Sequence, residues 1–163
     1  MSQPPQVGET SRVFLGMGTN LGDRRRFLVE AVAAIPELRA VSPVYETEPV
    51  GGPDQGAYLN IVVELATKKS PGELLTFCRD LELAAGRIRV ERWGPRTLDV
   101  DILWIDGTTV DEPDLTVPHP RMLDRNFVMK PLIDLAPDLE EAFSASGYDP
   151  DSAIGEVTSL GVL

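Results

Sequence analysis

Apolar positions along the chain change their spacing in blocks, and each change marks an element. Val13-Phe14-Leu15 followed by Gly16-Met17-Gly18 is a short apolar run ending in glycine, which predicts a buried strand entering a tight turn. Phe27, Leu28, Ala31, Val32 and Ile35 then recur at helical spacing, with Asp23 placed to cap the helix and Pro36 to stop it. Residues 38–47 read as one strand, the glycine- and proline-rich stretch 48–56 as an irregular loop, and residues 58–65 as a clear strand. Ser70-Pro71-Gly72-Glu73 combines a capping box with proline at the first helical position. It opens a helix whose Leu74, Leu75, Cys78, Leu81, Glu82 and Ala85 continue to Gly86. After an arginine-rich loop comes a strand over 98–104. Asp106-Gly107 predicts a hairpin turn, and Leu115 to Pro120 is extended because each proline restricts the residue before it. Residues 121–136 look helical, with Pro131 marking a break or a new start.

The order strand, helix, strand, strand, helix, strand predicts an α+β fold, a ferredoxin-like sandwich with a mostly antiparallel sheet and helices packed on it. At 163 residues and 42% apolar content one domain is expected, spanning 12–163. Residues 1–11 read as a flexible leader without the basic start and apolar run of a signal peptide. Residues 137–163, with six acidic residues and no basic one, read as a peripheral acidic tail carrying one short helix. The single cysteine, Cys78, excludes an internal disulfide and points to a reducing cytoplasm. Its place in a helical apolar pattern favours a packed thiol over a nucleophile. No apolar segment approaches the length of a membrane span.

Charge changes the picture more sharply. A net charge of −11, from 15 basic and 26 acidic residues, argues against a nucleic-acid surface or an anionic membrane as partner. Yet Arg79, Arg87, Arg89, Arg92 and Arg96 crowd one short segment, which favours a local anion site over solvated or ion-paired surface arginines. Just beyond them Asp99 and Asp101 stand at strand spacing, so both project to one side while Leu98, Val100 and Ile102 face the other. Two carboxylates next to phosphate-binding arginines suit magnesium on a polyphosphate, since that hard cation takes one or two carboxylates plus phosphate oxygens. An isolated Asp-x-Asp is more often a solvated strand; the adjoining Arg-Trp-Gly-Pro-Arg shifts the balance here.

Five blocks together carry a resemblance. They are Gly16-Met17-Gly18-Thr19-Asn20-Leu21-Gly22, Ser42-Pro43-Val44-Tyr45-Glu46-Thr47, Tyr58-Leu59-Asn60, the stretch 86–102, and Leu115 to Arg121 with Arg125-Asn126-Phe127. In this order, over residues 12–136, they resemble the 6-hydroxymethyl-7,8-dihydropterin pyrophosphokinase family of folate biosynthesis. The resemblance implies transfer of pyrophosphate from ATP to the pterin hydroxymethyl group, giving AMP and the pterin diphosphate. It also implies a ferredoxin-like core whose mobile loops close over ATP and pterin. The substrates are then ATP and 6-hydroxymethyl-7,8-dihydropterin, with no nucleic acid or membrane partner, in a cytoplasmic monomer.

Carried over by position, Asp99 and Asp101 look like the ligands of two magnesium ions, and Arg87 and Arg96 like phosphate-handling catalytic arginines. Tyr58 and Phe127 resemble the aromatic pair that sandwiches the pterin, Asn60 the amide that reads its edge, and Thr47 and Val50 further contacts. Trp93 matches the loop that closes over the pterin. Leu75 and Ile102 resemble adenine surroundings, and Thr116, His119 and Arg125 nucleotide contacts, with Arg89 and Arg92 as nearby loop contributors. Glu82 matches a family position on the second helix beside the pterin and is grouped with the nucleotide residues. Arg79 stands where some relatives place a neutral polar ATP contact, Asp114 where some carry arginine, and the 89–92 loop is one residue shorter than in some. In these residue types, Gly16, Gly18 and Asn20 read only as shaping the strand exit. Two other functions fit parts of the pattern: a metal-dependent nucleotidyl-transfer or phosphohydrolase domain, and a single-strand nucleic-acid module, which the acidic charge opposes.

Overall fold

The computed structural model describes residues 8–48, 56–86 and 97–163. β1 (Ser11–Thr19) lies at the centre, paired antiparallel with β4 (Tyr58–Thr67) on one side and β5 (Asp99–Ile105) on the other. Beyond β4 come β2 (Leu38–Val41) and β3 (Val44–Thr47), both antiparallel to it, and β8 (Val157–Gly161) pairs with β3. The main path is thus β5-β1-β4-β3-β8, with β2 also on β4, and β6 (Val110–Glu112) and β7 (Leu115–Val117) form a separate two-stranded ribbon. With α1 (Arg24–Ala33) and α2 (Pro71–Ala84) in the crossovers, this is the ferredoxin-like arrangement that the element order predicts.

Alternation along the strands divides the core in two. Val13, Leu15 and Met17 of β1 join Ile61 and Val63 of β4 and Val100 and Ile102 of β5 in a cluster that also takes Leu28 of α1 and Leu74, Cys78 and Leu81 of α2. Phe14, Val62 and Leu103, one residue out of step, face the other way. They pack with Met129 and Leu132 of α3 (Asn126–Leu135) and Phe143 of α4 (Glu140–Ala145). The sheet is therefore covered on both faces. A fully buried side chain such as Phe14, at 0% exposure, contributes about 2–3 kcal/mol relative to leaving it in water.

Local signals behave as the sequence predicts where one hydrogen bond decides them. Asp23 accepts from Arg26 N at 3.2 Å, and Ser70 and Glu73 exchange both bonds of a capping box. Four expectations change. The single strand over 38–47 is two, because Pro43 has no N–H to give; at the break the Ser42 hydroxyl accepts from Val62 N at 2.9 Å and Ser42 N donates to Val62 O at 2.9 Å. Asp106-Gly107 is a tight turn, with Gly107 at φ 69° and Thr108 N on Ile105 O, yet β6 beyond it pairs with β7 and not with β5. Pro131 lies inside α3 without ending it; the interruption falls earlier, at Arg125, between a 3-10 turn (Met122–Asp124) and the helix. Finally, the segment read as a peripheral tail buries Phe143 and Tyr148 in the second core and ends in β8 on the sheet.

Candidate active site

The second face of the sheet is packed with apolar side chains at one end and carries glycines and polar side chains at the other. Asp99 and Asp101 on β5 stand opposite Gly18 and Gly16 on β1. Those glycines stand in turn opposite Asn60 and Val62 on β4, and Tyr58 and Asn60 opposite Thr47 and Tyr45 on β3. Since Phe14, Val62 and Leu103 enter the second core, their neighbours two and four residues along the same strands share that face. A row of side chains therefore crosses four strands: two carboxylates, two glycines, then Asn60 with Tyr58, then Thr47. Leu98, Val100 and Ile102 face the first core, as alternation predicts.

The glycines are the part of this row that residue types did not disclose. A Cβ on Gly18 would lie 2.9 Å from Asn60 Oδ1 and 3.6 Å from Tyr58 Cδ1, and one on Gly16 would lie 3.3 Å from Leu103 Cδ1. Any larger residue at 18 would collide with Asn60, so the bare backbone keeps a floor between the carboxylates and the polar pair. Asn60 is 8% exposed and donates from Nδ2 to Thr47 Oγ1 at 2.8 Å, which orients both. Behind them Arg24 bridges Glu46 at 3.2 Å and the Ala57 carbonyl at 2.8 Å, and Asn20 Nδ2 donates to Gly56 O at 3.2 Å. Tyr45 donates its hydroxyl to Asp134 and so ties β3 to α3; burial first, then that carboxylate, push its pKa up to about 12.

Glu82 also gains a definite position. It is a buried acid on α2, and its Oε2 accepts from Val100 N at 3.2 Å, so it grips the backbone between Asp99 and Asp101. Its helical spacing with Cys78 and Leu81 already put it in the buried stripe, which was the available signal. Asp101 is exposed and Asp99 half-buried. Among the described residues no three His, Cys, Asp or Glu side chains gather around one point. Two carboxylates, Asp101 exposed and Asp99 half-buried, fit a magnesium ion that takes its remaining oxygens from phosphates and water, and do not form an all-protein cage.

Beside β5 lie the nucleotide candidates. His119 N donates to Leu103 O at 2.9 Å, and His119 Nδ1 accepts from Arg121 N at 3.2 Å, which leaves the other ring nitrogen free of that bond. Burial lowers the imidazole pKa from its ordinary value, with Arg125 and Arg121 in the same direction and Asp101 opposing. Arg125 lies over the Phe127 ring, its guanidinium carbon 5.6 Å from the centroid, and its pKa is lowered by burial and then by Arg121. Phe127 is half-buried at the start of α3. Thr116 is exposed on β7, and Leu75 packs partly buried against the first core. Ile102, 4% exposed, points into that core from the face of β5 away from Asp101. Arg79 and Asp114, the two departures from the family pattern, face each other at 4.0 Å, both exposed. Val50, Arg87, Arg89, Arg92, Trp93 and Arg96 lie outside the described residues.

Comparison with known proteins bears on the family of this chain and on its fold. The sequence model of the family described as 7,8-dihydro-6-hydroxymethylpterin-pyrophosphokinase (HPPK) matches residues 14–137. A Bacillus subtilis protein named 2-amino-4-hydroxy-6-hydroxymethyldihydropteridine pyrophosphokinase is 40% identical over 143 residues, covering 85% of this chain and 86% of that one. A Pseudomonas aeruginosa protein of the same name is 46% identical over 133 residues, covering 78% and 82%. Among solved structures, the HPPK-DHPS of Plasmodium falciparum, crystallised with pterin and p-hydroxybenzoate, superposes with a TM-score of 0.56 at 15% identity. That likeness covers 77% of this chain and 40% of the longer one, and it speaks for the fold. With a family match across most of its length and relatives at this identity, the chain belongs to the 7,8-dihydro-6-hydroxymethylpterin-pyrophosphokinase family.

Proposed function

We propose that the protein transfers the terminal pyrophosphate of ATP to the hydroxymethyl oxygen of 6-hydroxymethyl-7,8-dihydropterin, releasing AMP, with the residues of the sheet row as its centre. The observation that carries this reading is the row itself. Asp99 and Asp101 share a sheet face with Asn60, Tyr58 and Thr47, and among the described residues Gly16 and Gly18 of β1 stand between them. One substrate can therefore lie with its phosphates at the carboxylates while the other is gripped a strand or two away.

Asp99 and Asp101 would hold two magnesium ions, which when bound neutralise the phosphate charge and favour attack at the β-phosphorus. Glu82 keeps the carboxylates in place through the Val100 N–H. Asn60, with a donor and an acceptor on one amide, reads the polar edge of the pterin, and Thr47 fixes that amide. Tyr58 and Phe127 stack on the flat ring from opposite sides, and Val50 and Trp93 complete its surroundings. Arg87 and Arg96 hold the migrating pyrophosphate through planar, charge-assisted bonds, and Arg89 and Arg92 assist. His119, Arg125, Thr116, Leu75 and Arg79 serve the nucleotide, while Ile102, packed in the first core, shapes β5 from behind. With both reactants oriented and the charge offset, positioning and electrostatics supply most of the rate. The same reading makes the protein a cytoplasmic monomer; among the described residues no helix is long and apolar enough to cross a membrane.

Phosphorus NMR of the products tests the reaction. AMP and a pterin diphosphate should form one for one, only with magnesium and the pterin alcohol both present. ADP with a pterin monophosphate, or ATP cleavage that ignores the pterin, would overturn the proposal.

A further inference from the structure

Asn126 sits between Arg125 and Phe127, two residues given roles above, and it is 8% exposed. Its side chain is fully engaged. Nδ2 donates to Pro150 O at 3.1 Å and Ala153 O at 3.2 Å, with Gly155 O at 3.5 Å, while Oδ1 accepts from the Tyr148 hydroxyl at 3.0 Å. The backbone repeats the connection. Asn126 N donates to Ile154 O at 3.0 Å and Ile154 N to Asp124 O at 2.7 Å, so both peptide groups flanking Arg125 are tied to one residue of the 148–155 segment. That segment also backs the aromatic ring: a Cβ on Gly155 would lie 3.5 Å from Phe127 Cδ1.

A buried amide with three carbonyls around its NH2 group is an expensive device for merely closing a loop, because a lost partner leaves several polar groups unsatisfied. What distinguishes this one is its place. The Arg125 guanidinium lies over the Phe127 ring, 5.6 Å from its centroid, with Asp101 acting on its charge, and Gly155 of the fastened segment backs the same ring. We propose that Asn126 is a positioning residue for the transfer reaction: by fastening the 148–155 segment to the start of α3, it holds the nucleotide-side Arg125 and the pterin-side Phe127 in one fixed relation. This rests on the roles given to Arg125 and Phe127 under the proposed function. The two substrates are then coupled through a hub that touches neither.

Steady-state kinetics of Asn126→Ala, measured well below its melting temperature and with circular dichroism showing it folded, tests this. KM should rise for ATP and for the pterin together, each by about tenfold, as when reacting groups are displaced by a fraction of an ångström to an ångström. Tyr148→Phe should show the same paired rise at about threefold, the effect of one lost neutral hydrogen bond. Gly155→Ala, strained at φ +102° and pressed on Phe127, should raise the pterin KM alone. Wild-type KM values for both substrates in folded Asn126→Ala, with only its melting temperature lowered, would overturn the proposal. Should that variant not fold, wild-type KM values in both Tyr148→Phe and Gly155→Ala would overturn it instead. Phe127→Ala separates the two levels of argument. If it loses pterin affinity while Asn126→Ala is normal, the hub alone fails; if it binds pterin normally, the role of Phe127 fails and takes the hub with it.

Discussion

The two ends of one sheet face differ in what fills them, although the same strands build both. At one end Phe14, Val62 and Leu103 are buried under α3 and α4 with Met129, Leu132 and Phe143. At the other, one or two strand repeats away, β1 contributes Gly16 and Gly18, and its neighbours contribute Asp99, Asp101, Asn60 and Tyr58. β1 thus reads Phe, Gly, Gly at alternate positions, and the change from the largest side chain to none marks where packing stops and the candidate site begins. The opposite face shows no such division. There Val13, Leu15 and Met17 of β1 all enter one core, so the sheet is anchored from behind while one end of its front carries glycines and polar side chains.

This contrast can be broken in order of size. Phe14→Ala, at the packed end, should lower stability by about 3–5 kcal/mol in urea unfolding through lost burial and a cavity, while the folded fraction keeps its KM for both substrates. A large KM change would mean that the two ends are not separate. Asp101→Asn or Asp99→Asn should instead cost turnover at least about a hundredfold, near 2.7 kcal/mol. Because Asp101 is exposed, its melting temperature should stay close to the wild type. A near-normal rate in either variant would remove that carboxylate from the chemistry.

Smaller effects sharpen the comparison. Gly18→Ala places a methyl group 2.9 Å from Asn60 Oδ1, so pterin affinity by calorimetry should weaken by about tenfold, or 1.4 kcal/mol. Gly16→Ala meets only the flexible end of Leu103 at 3.3 Å and should cost less. Equal losses would mean that the floor matters as backbone and not as space. Smallest of all should be the reactivity of Cys78 in the back core. Burial, then Asp101 and Glu82, push its thiol up to about 12, so iodoacetamide at pH 8 should leave the native protein unlabelled and modify it only after denaturation. Labelling of the folded protein would show that the back core opens.

Much of the fold was legible because its signals are local. The Asp23 cap, the Ser70–Glu73 capping box and the Asp99/Asp101 alternation each depend on residues a few positions apart, and each is present. The break at Ser42-Pro43 was harder to see, because what holds it, Val62 N donating to the Ser42 hydroxyl and Ser42 N to Val62 O, lies on another strand. β8 was hidden for a similar reason: Val157–Gly161 is exposed along most of its length and shows its nature only in pairing with β3.

The candidate site divides along the same line. The sequence by itself determined the chemical inventory: the carboxylate pair, the crowded arginines, the aromatic and amide residues, and their order along the chain, which carried the family. Tertiary structure alone decided which of these share a face, that Gly16 and Gly18 clear the ground between them, that Glu82 grips the Val100 N–H, and that Asn126 gathers the C-terminal segment against Phe127. The physical reason is that residue chemistry is a property of one position, whereas empty space and a satisfied buried hydrogen bond belong to two segments that meet only when the chain has folded.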